Sequence, residues 1–190
     1  MDSSTGTLLP QEILQRLVTK MCQEHPFHTL YQVYCISDRP PSHDRRQSGR
    51  FSQSTQTERG VAATSILERL RADENTGNRV IDVELLCNAY VEWAMYPIKN
   101  NPTYKRKSPD SRGFSIPESQ RLLKISKMKV PVSTARTPLD PTLKYDNCVW
   151  IEHYERFFRT VGGNNAPKVS SCCGSDGQRY RQLVRLFDLL

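Results

Sequence analysis

From Pro10 the chain places apolar residues at helical spacing: Ile13, Leu14, Leu17, Val18 and Met21 recur every three or four positions. Pro10 itself suits a first helical position. Glu24-His25-Pro26 breaks that period and predicts a second helix from Pro26, carrying Phe27, Leu30, Tyr31 and Tyr34 and stopped by Pro40-Pro41. The two helices are expected to pack as an antiparallel pair. Residues 42–57 have no apolar period and are expected to form a flexible loop. A third helix is predicted over about 58–72 through Val61, Ala62, Ile66, Leu67 and Leu70. A fourth is predicted after Asn78 as N-cap, burying Val80, Val83, Leu86, Ala89, Tyr90 and Trp93 and ending before Pro97. Two helical pairs of this kind read as the end of an α-solenoid, where each repeat covers its neighbour's apolar face.

After residue 145 the pattern becomes that of short strands. Phe157, Phe158 and Val161 precede Gly162-Gly163-Asn164-Asn165, residue types that tolerate positive φ in a tight loop. Val169 then starts a second strand, and Gly174-Ser175-Asp176-Gly177 is turn chemistry leading into Tyr180 to Val184. Backbone amides in such a glycine loop can face a phosphate. On spacing alone, an ordinary connection between two strands is the more frequent reading of such a loop.

Charge is concentrated in one stretch. The whole chain of 190 residues carries a formal +7, whereas residues 98–144 alone hold eleven Lys and Arg against three acids. Lys105-Arg106-Lys107 beside Tyr104 suits DNA phosphates or a nuclear-import patch, but with no helix-in-groove motif or interleaved aromatic run a solvated loop around Pro102, Pro109 and Pro117 is the favoured reading. The cysteines Cys22, Cys35, Cys87, Cys148, Cys172 and Cys173 lack the paired spacing of a zinc site; four of them sit inside apolar stretches, which suggests buried free thiols in a packing role. Cys172 and Cys173, adjacent on a strand, are expected to point to opposite faces. His25 and His28 are expected to serve packing at a helix start, since no further metal ligands accompany them. No Ser-His-Asp or Cys-His arrangement supports hydrolase chemistry. Neither a long apolar run nor a secretory leader is read in the sequence, which sets a cytosolic or nuclear location as the expectation.

The run Gly162-Gly163-Asn164-Asn165-Ala166-Pro167-Lys168, followed by Cys173-Gly174-Ser175-Asp176-Gly177 and Arg181-Gln182-Leu183-Val184, resembles the start of the kinase domain in phosphatidylinositol-3-kinase-related protein kinases. Within that family it is most similar to the ataxia-telangiectasia-mutated kinases and their fungal telomere-maintenance counterparts. His25-Pro26-Phe27-His28 resembles a segment of the last helical repeats before the kinase lobe, and the stretch from Val83 to Tyr90 resembles the helix after it. Ile116-Pro117 and Lys129-Val130-Pro131-Val132 resemble the linker into the first strands.

The resemblance implies an α+β chain. Residues 1–97 would be the end of a helical repeat (FAT-like) region, 98–144 a basic Pro-containing linker, and 145–190 a truncated antiparallel kinase N-lobe. It implies that Gly162, Gly163 and Asn164 belong to a phosphate cradle, and Pro167 and Leu183 to an adenine pocket wall. Lys168 would be a second cation near the loop, and Arg185 stands where the family has its phosphate-contacting lysine. Arg keeps that charge but not the compact ammonium. The cofactor implied is ATP with Mg2+ in the intact parent, with none bound by this fragment. After Val184 the family pattern is lost, and a catalytic loop and magnesium-binding Asp are not among the 190 residues, so the polypeptide by itself is expected to be inactive, with no catalytic and no metal-binding residue.

Ser52-Gln53, Thr55-Gln56 and Ser119-Gln120 match the Ser/Thr-Gln preference implied for the family's substrates, which makes Ser52, Thr55 and Ser119 candidate phosphosites. Implied partners are the parent kinase assembly and DNA-damage sensor proteins, with weak DNA contact through the basic linker and no membrane. The implied location is the nucleus. Two other readings stay open: a non-catalytic helical scaffold, and a basic nucleic-acid-binding module centred on Lys99 to Lys107. Uncovered strand edges and an open apolar sheet face predict poor solubility of residues 145–190.

Overall fold

The computed structural model describes residues 9–37, 58–105, 113–161 and 167–185. Four long helices precede an antiparallel sheet, the α+β order expected: α1 (Pro10–Glu24), α2 (Pro26–Ile36), α3 (Glu58–Arg71) and α4 (Gly77–Met95). A single turn, α5 (Pro102–Lys105), and the strands β1 (Phe114–Ser115), β2 (Ser126–Pro131), β3 (Trp150–Thr160), β4 (Lys168–Gly174) and β5 (Arg179–Val184) follow. The chain divides into two compact units between Ile81 and Asp82, inside α4.

In the first unit α1, α2 and α3 pack together around buried Cys22, Leu30, Val33, Ile66, Leu67 and Leu70. α1 enters with Pro10 at its first turn and with the Glu12 carboxylate accepting the Leu9 N–H at 3.1 Å, half of a capping box. Its buried residues are Thr19 and Cys22, whereas the expected face of Ile13, Leu14, Leu17 and Met21 is exposed and Val18 is half-buried. Periodicity identifies an apolar stripe; it does not say which neighbour covers it, and a seam one step around the helix took that place. In α3 likewise, Gly60 and Ala63 are buried while Val61 is exposed. Between α3 and α4, Asp73 Oδ1 accepts from the Asn75 and Thr76 amides at 2.9 Å each, and these bonds together with the Thr76 hydroxyl hold its carboxyl below the usual range. α4 begins at Gly77, one residue ahead of the expected Asn78 cap, and only glycine fits there, since a Cβ at residue 77 would lie 2.5 Å from the Arg71 carbonyl oxygen.

The second unit holds the rest of α4 and the sheet. The sheet order is β1-β3-β4-β5, with β2 also on β3. Eleven-residue β3 has β1 paired near its end (Phe114 with Phe158) and β2 paired at its beginning (Met128 with Ile151). Residues 98–144, expected as a linker, therefore contribute two of the five strands. None of the six cysteines is in a disulfide; Cys22, Cys87 and Cys172 are buried, Cys148 is half-buried and Cys35 is exposed. As expected of adjacent strand residues, Cys172 is buried and Cys173 half-exposed.

Candidate functional site

Alternation along β4 divides the sheet into two faces. Lys168, Ser170 and Cys172 are buried on one side, and their register partners Thr160, Phe158 and Tyr154 on β3, and Val184, Gln182 and Tyr180 on β5, share it. α4 covers this inner face. Trp93, fully buried, meets Phe158 edge-on with ring centroids 4.9 Å apart, and its indole N–H donates to Ser170 Oγ at 2.9 Å. The Tyr90 and Tyr154 hydroxyls lie 2.6 Å apart, and Gln182 Oε1 is within hydrogen-bond distance of both, at 2.8 and 3.0 Å. Gln182 Nε2 reaches Ser133 Oγ at 3.3 Å and Cys172 Sγ at 3.5 Å. Burial raises the Tyr90 phenol and pushes the Cys172 thiol up to about 11, so this cluster is a neutral hydrogen-bonded network at physiological pH.

The outer face carries the candidate site. Arg159, Val169 and Leu183 are directly opposite one another across β3, β4 and β5, so they form one row. Leu183 is 63 % exposed and Val169 is half-buried. The Val161 N–H donates to the Pro167 carbonyl at 3.0 Å and closes the neck of the glycine loop. Since Lys168 is level with Val184, Arg185 leaves β5 beside that neck, and it is exposed. Pro167, Leu183 and Arg185 are thus gathered at one end of the hairpin, with Val169 and Arg159 added by the register. Gly162, Gly163 and Asn164 lie outside the described residues.

Lys168 is placed differently from the expectation of a cation beside the loop. It is 3 % exposed, its Nζ donates to the Ala94 carbonyl at 2.8 Å, and it sits 5.3 Å from the Trp93 ring centroid. Burial lowers its ammonium to about 8. Sequence adjacency to the loop gave no account of which face the side chain takes.

The Gly-Ser-Asp-Gly turn joins β4 to β5 at the end of β4 away from the glycine loop. Its Asp176 accepts from the Gln178 amide at 3.0 Å and from the Tyr180 hydroxyl at 2.7 Å, which holds its carboxyl below the usual range. Ser175 bonds both backbone groups of Trp150: its N–H donates to the carbonyl and its Oγ accepts the amide. The turn is hairpin chemistry, separated by the length of a six-step strand, about 20 Å, from the loop neck.

Ser119 is exposed, but the Gln120 side chain beside it is 7 % exposed. Ser52 and Thr55 lie outside the described residues. So do residues 106–112 of the basic stretch; Lys99 is described and exposed. Among the described residues no group of three His, Cys, Asp or Glu is placed to hold a metal, and no helix is long and apolar enough to cross a membrane. Sequence reading missed the Tyr90–Tyr154–Gln182 network and the place of Arg159. The alternation of Gln182 with Leu183 was the available signal, because one of the two must face the helix.

No protein-family model matches the chain. It is 30 % identical over 193 residues to the serine-protein kinase ATM of Sus scrofa, covering 95 % of this chain and 6 % of that protein. Identity to the serine/threonine-protein kinase ATM of Arabidopsis thaliana is 29 % over 182 residues, covering 92 % of this chain and 4 % of the relative. Identity to the serine/threonine-protein kinase TEL1 of Cryptococcus neoformans is 28 % over 180 residues, 92 % of this chain and 6 % of the relative. The chain therefore spans a small part of the length of the relatives it matches. Among solved structures, the open conformation of CtTel1 superposes with a TM-score of 0.73 at 20 % identity over 95 % of this chain and 6 % of that one. The FAT and kinase domain of CtTel1 gives 0.70 at 20 % identity over 91 % of this chain and 11 % of that one.

Proposed function

The homologues of this chain are the ATM and Tel1 kinases of the phosphatidylinositol-3-kinase-related family, and from that premise we propose that these residues form the entry to a kinase lobe and carry one wall of its nucleotide site. The observation that carries the reading is the register at the loop neck, which gathers Pro167, Val169, Leu183 and Arg185 at one end of the outer face. In the intact parent the loop amides of Gly162, Gly163 and Asn164 cradle phosphates, Val169 and Leu183 lie under the base, and Arg185 supplies positive charge. ATP with Mg2+ is the cofactor and Ser/Thr-Gln sites are the substrates. The parent acts in the nucleus on DNA-damage and telomere signals, within a kinase assembly that includes damage-sensor proteins.

The 190-residue polypeptide by itself transfers no phosphate, because it supplies one wall of the site and neither the base nor the magnesium ligands. Titrating the 15N-labelled chain with Mg·ADP tests the reading. The wall alone offers a weak contact where the sequence led us to expect none, so shifts at high nucleotide concentration confined to Val161, Pro167's neighbours, Val169, Leu183 and Arg185 are expected, and a response confined to α1–α3 would refute it. Phosphate transfer to a Ser-Gln peptide, abolished by changing Gly162 and Gly163, would refute the inactivity.

A further inference from the structure

The first residue after the glycine loop is a lysine whose charge is buried. Its ammonium donates to the carbonyl of Ala94 at 2.8 Å, in the last turn of α4, where carbonyls have no partner within the helix. A cation there is also favoured by the helix dipole. Two residues on, Ser170 accepts the indole N–H of Trp93 at 2.9 Å, so β4 is tied twice to the same helical turn. One residue before Lys168, Pro167 accepts the Val161 N–H that closes the loop neck. Any shift of Lys168 along the sheet therefore moves the neck.

We propose that Lys168 is a positioning residue: it anchors the root of the glycine loop to the C-terminal turn of α4 and does not contact the phosphates. This rests on the reading that the loop meets a nucleotide. The titratable groups on the inner-face elements packed here are Tyr90 on α4, Tyr96 just beyond it, Tyr154 on β3, Cys172 on β4 and Tyr180 on β5, whose hydroxyl donates to Asp176 and is raised by that bond; Glu92 on α4 is paired with Arg121 at 3.2 Å. The Tyr90 and Tyr96 phenols and the Cys172 thiol are all raised by burial. Lys168, lowered to about 8, is thus the group in this set whose charge changes first above neutral pH.

The test uses the full 190-residue chain with Trp150→Phe, so that emission reports Trp93 alone. In the parent form, Trp93 emission should change with a midpoint near pH 8, and Lys168→Met should abolish that transition. Lys168→Met should also speed hydrogen exchange of the Val161 amide roughly tenfold or more, the factor a charge-assisted hydrogen bond carries, with Ile151 and Leu86 amides unchanged. Lys168→Arg should restore slow Val161 exchange, since its guanidinium also donates to a carbonyl acceptor. An equal loss of protection at all three amides, or Trp93 emission flat from pH 7 to 9.5, overturns the proposal. If Lys168→Met does not fold, the pH series on the parent form and on Lys168→Arg decides alone. Loss of the Mg·ADP response in Lys168→Arg with Val161 still protected would make Lys168 a ligand contact and overturn the anchor. A null Mg·ADP titration with the pH transition and Val161 protection intact sinks the nucleotide reading and supports the anchor.

Discussion

Replacing Gln182 by Leu removes the common acceptor of two buried hydroxyls, and the hydroxyl protons can be counted. Tyr90 and Tyr154 bring two protons to three short oxygen contacts at 2.6, 2.8 and 3.0 Å. If both protons pointed at Gln182, the 2.6 Å contact would hold two oxygens with no proton between them. One tyrosine must donate to the other, and the second then donates to Gln182. In Gln182→Leu that second proton loses Gln182 as its acceptor, at a cost of about 1–3 kcal/mol less what the Ser133 hydroxyl beside Tyr90 recovers. The bonds from Nε2 add little, because Ser133 is exposed and regains water. Leucine nearly refills the volume. The expected loss is therefore about 2 kcal/mol in urea unfolding followed by tryptophan emission; both tryptophans lie in the second unit. Tyr90→Phe should cost about 1 kcal/mol in either background, because in both it deletes the bond between the two hydroxyls, and in Gln182→Leu the loss of Gln182 then falls on the Tyr154 proton instead. The two changes should therefore add within about 0.5 kcal/mol, and a coupling of about 1 kcal/mol or more would refute the proton count.

Lys168 also makes a prediction for pH. Its folded value of about 8 lies below the ordinary 10.5, so between those values the unfolded chain holds the proton that the folded chain has released. Stability should then rise with pH, by about 1 kcal/mol from pH 8 to 9; Cys172, raised from 9 to about 11, opposes the trend above pH 9. Lys168→Met should flatten the rise in denaturant midpoints, and an unchanged slope would count against it. Gly174→Ala places a methyl group 2.5 Å from Val149 Cγ1 and 2.8 Å from the Tyr180 ring, so thermal unfolding should register a loss of about 1–3 kcal/mol. Leu14→Glu with Leu17→Glu changes exposed positions of α1; unfolding free energy should stay within about 0.5 kcal/mol while light scattering shows less association.

The elements were legible where local chemistry decides them. Pro10, Pro26 and the Gly174–Gly177 turn each act within a few residues, and the helices and strands they bound appear where expected. β1 and β2 were not legible. β1 is two residues long, and β2 carries Lys127 with φ of 49°, which interrupts any alternation a strand would show. Which face a residue takes was harder still. Met21 and Cys22 are neighbours on α1, and the polarity of the stripe favoured the wrong one. At the candidate site, the loop-flanking residues were readable from order along the chain. The opposite facing of Lys168 and Leu183 depends on the register of β4 with β5 and on α4 lying over one side, which sequence order does not contain.

That dependence on α4 predicts where the chain can be cut. By sequence the sheet seemed to begin after a linker, at residue 145, yet the second compact unit starts at Asp82. From there Val83, Leu86, Ala89 and Trp93 are all buried. Uncovering large side chains of this kind costs about 1.5–3 kcal/mol each. Four of them, one only an alanine, come to roughly 5–10 kcal/mol, the whole stability of an ordinary domain. Removing α4 also strips Ser170 of its indole donor and leaves the Lys168 ammonium with no carbonyl. A polypeptide of residues 77–190 should therefore give a dispersed amide spectrum and cooperative unfolding, whereas 98–190 should give neither. Equal dispersion from both would show that the sheet holds its own inner face closed, and the anchoring of the loop root through α4 would fall with that result.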